Sequence, residues 1–297
     1  MVTSPPKPLL KQLWEFIRRP TFPALSVQPL RQTCSELNQL FWLSLAVRFL
    51  LSIPLIWATT QAGLDNQLPT LFEGVSVLWV LTLGAVLIPF FEEVLFRLFL
   101  RPSPLNLVGT LLPVLYLLGI PLVTVMPGSI LARAWLLLTL IVGAVLYLIV
   151  KKYYSVWRVE QFYSRRMAPL YYGSSILFGF VHVFNFAGIE RYFYLSPLIM
   201  LPYAIFGLLL GYVRIKHGFQ WAVVLHAVNN AYAFLPLVMM YGLTGTVEAE
   251  TLTRQDPQPA AVVAGLMIVV WAIGSLWMMF STCRHLFREV RRYRPDV

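Results

Sequence analysis

The stretch VSVLWVLTLGAVLIPFFEEVLFR, residues 75–97, decides how this chain is interpreted. Its first part, 75–91, carries no charge and ends at two adjacent carboxylates, Glu92 and Glu93. A helix that crosses a membrane needs about 20 predominantly apolar residues, and this stretch supplies them. A carboxylate within such a helix costs roughly 2.5 kcal/mol or more and usually marks a functional site. The stretch therefore predicts a membrane helix that carries chemistry at its end.

The composition of the whole chain supports this interpretation. It is 58% hydrophobic and 12% charged, with a mean hydropathy of +0.70, which excludes an ordinary soluble domain. Apolar runs such as 135–150 are continuous and do not alternate, so they favour helices over a closed barrel. We therefore predict an all-α polytopic membrane protein with about eight transmembrane helices. The predicted spans are 40–60, 75–98, 105–126, 133–150, 169–187, 192–213, 218–240 and 260–282.

The net charge of +10 is distributed as a topology signal. When charges at span ends are counted with the adjacent loop, 19 Lys and Arg residues fall on one side and 3 on the other, and Arg48 falls inside the first span. By the positive-inside rule, both termini are cytoplasmic. The rule holds equally for a bacterial plasma membrane and an ER-like membrane. Lipid head groups, rather than nucleic acid, are the partners that this charge indicates.

These spans divide the chain into a cytoplasmic N-terminal segment (1–39), a transmembrane domain (40–282) and a basic cytoplasmic tail (283–297). Within the first segment, residues 9–19 place polar and apolar side chains on opposite faces, which predicts an amphipathic helix at the membrane surface. Residues 151–168 are basic and aromatic, and we expect them to form a loop at the head groups. The pair Gly207 and Gly211 predicts close helix packing in the sixth span.

Two carboxylates next to each other on a helix have different surroundings. Glu93 and Arg97 are four residues apart with the acid first, so they are expected to pair. Glu92 points about 100° away and is free to face a cavity. A plain alternative is a cluster of charges that merely ends the helix.

The four histidines separate into two groups. His182 and His226 lie within predicted spans, whereas His217 and His285 lie in short basic segments and are expected at the surface. Phe178 lies one turn before His182, and Asn230 lies one turn after His226, on the same helix faces. Two nearby asparagines have no assigned role, and one of them is expected to face away from the His226–Asn230 side. These are Asn185 and, facing away, Asn229.

Depth and chemistry both suggest one shared site. Glu92 lies nine residues before Arg101 and His226 eight after Gly218, so both are roughly 12–14 Å from the cytoplasmic side. A carboxylate and an imidazole can together deprotonate water, while a second imidazole and a carboxamide can donate hydrogen bonds to an oxyanion. That set of groups suffices for peptide hydrolysis without a serine or cysteine nucleophile.

Other functions use similar residues. Glu92, His182 and His226 could hold zinc, although no HExxH motif is present. Intramembrane Glu and His residues also mark transporters and proton relays, but the chain shows no inverted repeat. A catalytically silent membrane scaffold is a further alternative.

The three motifs resemble those of the CAAX protease and bacteriocin-processing family of intramembrane glutamic endopeptidases. The family pattern EExxxR, FxxxH and HxxxN is present in order, as Glu92 to Arg97, Phe178 to His182 and His226 to Asn230. The resemblance implies a conical bundle with a cytoplasm-facing cavity, a membrane-anchored or prenylated peptide substrate and no required cofactor. It implies roles for seven residues. Glu92 with His182 activates water, His226 and Asn230 form the oxyanion site, and Glu93, Arg97 and Phe178 support them.

Overall fold

The structure is a computed structural model that describes residues 7–22, 28–67, 75–125, 129–244 and 259–293. Within these ranges the chain is helical, and its sole strand-like feature is an isolated bridge between Asn66 and Phe186. A π-helical segment, Leu81–Leu87, joins α3 to α4. The helices, numbered in chain order, are α1 Leu9–Arg18, α2 Leu30–Ala62, α3 Val77–Val80, α4 Ile88–Phe96, α5 Pro104–Val125, α6 Ile130–Tyr153, α7 Val156–Val181, α8 Ser196–Lys216, α9 Phe219–Thr244 and α10 Pro259–Arg292.

Eight helical stretches in the described part of the chain are long and apolar enough to cross a membrane. Their outward faces expose large apolar side chains, for example Leu118 at 72%, Leu137 at 61% and Val270 at 70%. Exposure on this scale is unfavourable in water, because each buried CH₂ group stabilises by about 0.8 kcal/mol, but it suits contact with lipid. The protein is an integral multi-pass membrane protein, and the predicted fold class is confirmed.

Close contact between α7 and α8 positions the centre of the bundle. Small residues make this approach possible, as predicted for Gly207 and Gly211. A Cβ added at Gly207 would lie 3.1 Å from the Cα of Ser175, and one added at Gly179 would lie 2.7 Å from the carbonyl oxygen of Met200. The backbones are therefore too close for larger side chains at these positions.

Helix α1 forms as predicted, but protein contacts hold it on the bundle. Leu9 and Leu13 are buried in the main apolar core. The ring of Phe16 packs edge-on against Tyr171, with centroids 5.2 Å apart. The hydroxyl of Tyr172 donates a hydrogen bond to the carbonyl of Ile17. The apolar face of α1 thus covers protein rather than lipid alone.

The predicted loop over residues 151–168 is wrong. Helix α6 continues to Tyr153, and α7 begins at Val156, after Ser155, whose hydroxyl accepts a hydrogen bond from the Arg158 amide. Hydropathy marks where a helix can enter lipid, whereas a charged helix can extend beyond it into water. Similarly, α2 begins at Leu30 rather than near residue 40, and α10 continues past residue 282 to Arg292.

His217 is not at the surface, contrary to expectation. It is 8% exposed, and its Nε2 lies 3.2 Å from Oε2 of Glu36. The same oxygen is 2.7 Å from Nζ of Lys216, which also donates to the side chain of Gln12 at 2.9 Å. Glu36 on α2 and Gln12 on α1 are therefore both tied to Lys216 at the end of α8. The loop sequence conceals this because Glu36 is distant in the chain.

Candidate active site

The two carboxylates of α4 have different surroundings, as the sequence predicts. The side chain of Glu93 is fully buried, and its Oε1 lies 3.2 Å from Nη1 of Arg97, which is also fully buried. The i, i+4 pair is therefore present. The side chain of Glu92 is 21% exposed and points to another side of the helix. One carboxylate is fully buried in the core, while the side chain of its neighbour is partly exposed.

Glu92 lies between two imidazoles from two other helical segments. Its Oε2 is 3.4 Å from Nε2 of His226, on α9. Its Oε1 is 3.9 Å from Nε2 of His182, which directly follows α7. The structure thus brings together three residues that are up to 134 positions apart in the sequence. A gap of 3.9 Å is too long for a direct hydrogen bond.

Hydrogen bonds at the other ring nitrogens orient both imidazoles. Nδ1 of His182 lies 2.7 Å from the carbonyl oxygen of Phe178, so Nδ1 carries the proton and donates it. In the neutral ring, Nε2 is then an acceptor that faces Glu92. Nδ1 of His226 lies 2.9 Å from Oε1 of Glu93. A carboxylate that fixes an imidazole through its distal nitrogen is a common way to set ring orientation at reactive sites.

The ring of Phe178 holds these groups in place. It is 1% exposed, and its centroid lies 4.7 Å from the ring of His182 and 5.6 Å from that of His226. The guanidinium carbon of Arg97 lies 3.8 Å from the same centroid. The guanidinium of Arg97 therefore contacts the π face of this ring. Two of its nitrogens, Nε and Nη2, have no hydrogen-bond partner among the described residues.

Asn230 lies at the edge of the cluster and is already engaged. Its Nδ2 donates to the carbonyl of Gly84 at 3.1 Å, within the π-helical segment. An amide nitrogen carries two hydrogens, so a second donor is available for a ligand. The wide turn of the π-helical segment thus helps to position Asn230, which lies on a different helix, α9.

Asn229 does not face away, and that prediction is wrong. It is 1% exposed, it donates to Oδ1 of Asn230 at 3.4 Å, and its own Oδ1 accepts a hydrogen bond from Nη2 of Arg48. Helical periodicity already indicates that Asn229 lies on the same side as His226, because residues three apart on a helix share a face.

Tyr203 is a second residue that the motifs do not reveal. Its ring stacks on that of His182, with centroids 4.1 Å apart and planes inclined by 20°. It lies in the apolar helix α8, where a tyrosine is not distinctive by composition. The stack and the Phe178 contact hold the His182 ring from two directions.

No group of three His, Cys, Asp or Glu side chains within the described ranges is arranged to hold a metal ion. The two imidazoles approach different oxygens of Glu92, and the second carboxylate binds His226 from its far side. Sensitivity of the activity to chelators would therefore distinguish the zinc alternative from a metal-free mechanism.

In the described ranges, eight helices that are long and apolar enough to cross a membrane accompany a cluster of carboxylates, imidazoles and a guanidinium. These features define the class: a multi-pass membrane protein with a polar site among its membrane helices. The family model described as "Type II CAAX prenyl endopeptidase Rce1-like" matches residues 158–232, about a quarter of the chain. The matched segment contains the second and third motifs. It supports membership of the CAAX protease and bacteriocin-processing family, and the resemblance drawn from the motifs is confirmed. No curated protein and no solved structure matches the chain.

Proposed function

We propose that this protein is an intramembrane endopeptidase that hydrolyses a peptide bond near the membrane-anchored or lipidated end of its substrate. The observation that carries the proposal is the position of Glu92. It presents one oxygen to each of two imidazoles, and its side chain is 21% exposed. The family model that matches residues 158–232 is described as that of a prenyl endopeptidase, which supports this proposal.

In the proposed mechanism, water binds beside Glu92 and His182. Glu92 takes a proton from the water as the oxygen attacks the carbonyl carbon of the substrate. The free donor of Asn230 stabilises the oxyanion that forms. The C–N bond then breaks, and the proton held by Glu92 passes to the leaving nitrogen.

His226 can also donate to the oxyanion, but only in one protonation state. Because Nδ1 is engaged with Glu93, a donor at Nε2 requires the doubly protonated ring. The carboxylate of Glu93 would balance the charge of that ring, and Arg97 would hold the carboxylate in place. These two residues act through His226 and are positioning residues.

The decisive experiment is proteolysis by the purified protein in detergent on a fluorogenic farnesylated CAAX peptide. Wild type is compared with the isosteric Glu92→Gln variant and with Glu160→Gln, which removes an exposed carboxylate on α7. We expect cleavage by wild type and Glu160→Gln, and a loss of roughly 10²- to 10⁴-fold in Glu92→Gln.

Cleavage that persists in Glu92→Gln would refute the assignment of the base. Failure of wild type to cleave this peptide or a membrane peptide precursor would favour the transporter or scaffold interpretations. We also propose that both termini are cytoplasmic. Exposed Cys34 should then react with a membrane-impermeant maleimide in inside-out vesicles and not in right-side-out ones.

A further inference from the structure

Arg48 is a charged residue within a membrane-spanning helix that the motifs leave unexplained. It lies in the middle of α2, roughly 27 Å from the start of the helix and roughly 21 Å from its end. A guanidinium at such a position is costly and usually faces a cavity or a partner.

Among the residues that the structure describes, no carboxylate lies within ion-pair distance of Arg48. Its Nη2 donates to the side-chain oxygen of Asn229, and its Nε lies 3.4 Å from the carbonyl oxygen of Ser44. Its guanidinium carbon is 4.5 Å from the centroid of the Phe206 ring. These contacts orient the side chain, but none of them carries a full negative charge.

Two other buried arginines of the described bundle, Arg97 and Arg214, are compensated differently. Arg97 has the carboxylate of Glu93. Arg214 donates to the carbonyls of Arg97 and Leu98 at 3.1 and 2.9 Å, at the C-terminal end of α4, where the helix dipole is negative. Arg48 meets a neutral amide, that of Asn229, and the carbonyl of Ser44 in the middle of its own helix. Its charge is balanced by neither route.

Arg48 also lines a cavity of about 200 Å³ between α1, α2 and α8, and it is the one charged residue among those lining it. The remaining walls are apolar apart from Ser44, and α1 closes one side. Residues that form these walls include Leu13, Leu43, Val47, Ile205 and Leu209. A ligand for this cavity combines apolar groups with a single negative charge.

The distance between this cavity and the candidate catalytic centre limits the ligand further. The centroid of the His226 ring lies 5.4 Å from that of the Phe206 ring. The guanidinium carbon of Arg48 lies 4.5 Å from the same Phe206 centroid. The His226 ring and the Arg48 guanidinium are therefore at most about 10 Å apart, which is the length of about three extended residues. A short peptide end can reach from one to the other.

We propose that Arg48 binds the free C-terminal carboxylate of the peptide substrate, and that the adjoining apolar cavity holds side chains of the short fragment that is released. An arginine suits this role because its planar donors match a carboxylate in two parallel hydrogen bonds. The site would select substrates whose free C-terminus lies at most about three residues beyond the cleaved bond. This inference rests on the proposed function.

The test uses two fluorogenic lipidated peptides of identical sequence with an apolar last residue. One ends in a carboxylate and the other in a carboxamide. We expect wild type to prefer the carboxylate peptide by roughly 10- to 150-fold in kcat/KM, the value of a hydrogen bond to a charged group. This comparison needs no variant, so it stands even if substitutions at Arg48 prevent folding.

Variants then assign the preference to Arg48. Arg48→Gln should reduce the carboxylate-to-carboxamide ratio to near one while the carboxamide peptide is still cleaved. Arg48→Lys should keep part of the preference. The control Arg288→Gln removes an exposed positive charge from α10 and should leave the ratio unchanged.

Three results would overturn the inference. Equal cleavage of both peptides by wild type contradicts it without affecting the proposed protease. A parallel loss on both peptides in Arg48→Gln would limit Arg48 to ordering Asn229. Cleavage of neither peptide by wild type contradicts the proposed function itself, and the inference falls with it.

Discussion

Removing one member of the buried Glu93–Arg97 pair should destabilise the protein far more than removing both. In Arg97→Gln, the carboxylate of Glu93 stays in the core with His226 as its remaining close polar partner. Leaving a buried charge without its partner costs about 3–5 kcal/mol. For a chain of this size, 1 kcal/mol corresponds to roughly 2 °C, so we expect the unfolding temperature to fall by about 6–10 °C.

Glu93→Gln should cost a similar amount, because it leaves the guanidinium of Arg97 unpaired. The double variant carries two neutral amides and no buried charge. We therefore expect it to unfold within about 4 °C of wild type, which corresponds to a coupling of about 4 kcal/mol or more, above the usual 0.5–3 kcal/mol range. Activity should stay low in all three variants, since each removes a group that positions His226.

The assay is thermal unfolding in detergent at one fixed heating rate, followed by the fluorescence of the nine tryptophans. A fixed rate is needed because unfolding of such proteins is often irreversible. Arg288→Gln serves as the exposed control. If the double variant loses the sum of the two single losses, the two side chains are not coupled and the reasoning about the buried pair is refuted.

Three further outcomes are expected. Asn230→Ala should lower kcat roughly 10²- to 10³-fold with little change in KM, since it removes an oxyanion donor; an unchanged kcat in steady-state assays would exclude that role. Gly179→Ala places a Cβ 2.7 Å from the Met200 carbonyl and should destabilise by about 1–3 kcal/mol. Gly173→Ala, which meets nothing within 4 Å, is its control, and equal unfolding temperatures would contradict the close approach. EDTA or 1,10-phenanthroline should leave proteolysis unchanged, whereas a loss restored by zinc would establish the metalloprotease alternative.

The membrane helices could be predicted because lipid imposes a length and a composition on every span. The contact between Glu93 and Arg97 could be predicted because it is local to one helix turn. The helical character of residues 151–168 could not, because charged residues beyond the membrane are compatible with either a helix or a loop. Hydropathy does not separate these two cases.

Contacts between distant residues account for the rest. The sequence offers two carboxylates and two imidazoles but does not state which pairs form. The bond from His226 to Glu93, the burial of His217 against Glu36 and the contact of Arg48 with Asn229 all depend on how α2, α4, α8 and α9 pack. Helical periodicity constrains one helix at a time, so it cannot assign them.

The π-helical segment Leu81–Leu87 makes the number of residues before Glu92 as important as their identity. A π-helical turn behaves like one residue inserted into an α-helix, and removing one residue turns everything beyond it by about 100°. The Gly84 carbonyl lies within the π-helical segment and Glu92 lies beyond its end. A deletion therefore cannot preserve both the bond from Asn230 to Gly84 and the orientation of Glu92 toward the imidazoles. Single-residue deletions through 81–87 should abolish activity even where conservative substitutions are tolerated, and an active deletion variant would contradict this. The geometry of the site therefore depends on the number of residues in this segment and not on their chemistry alone.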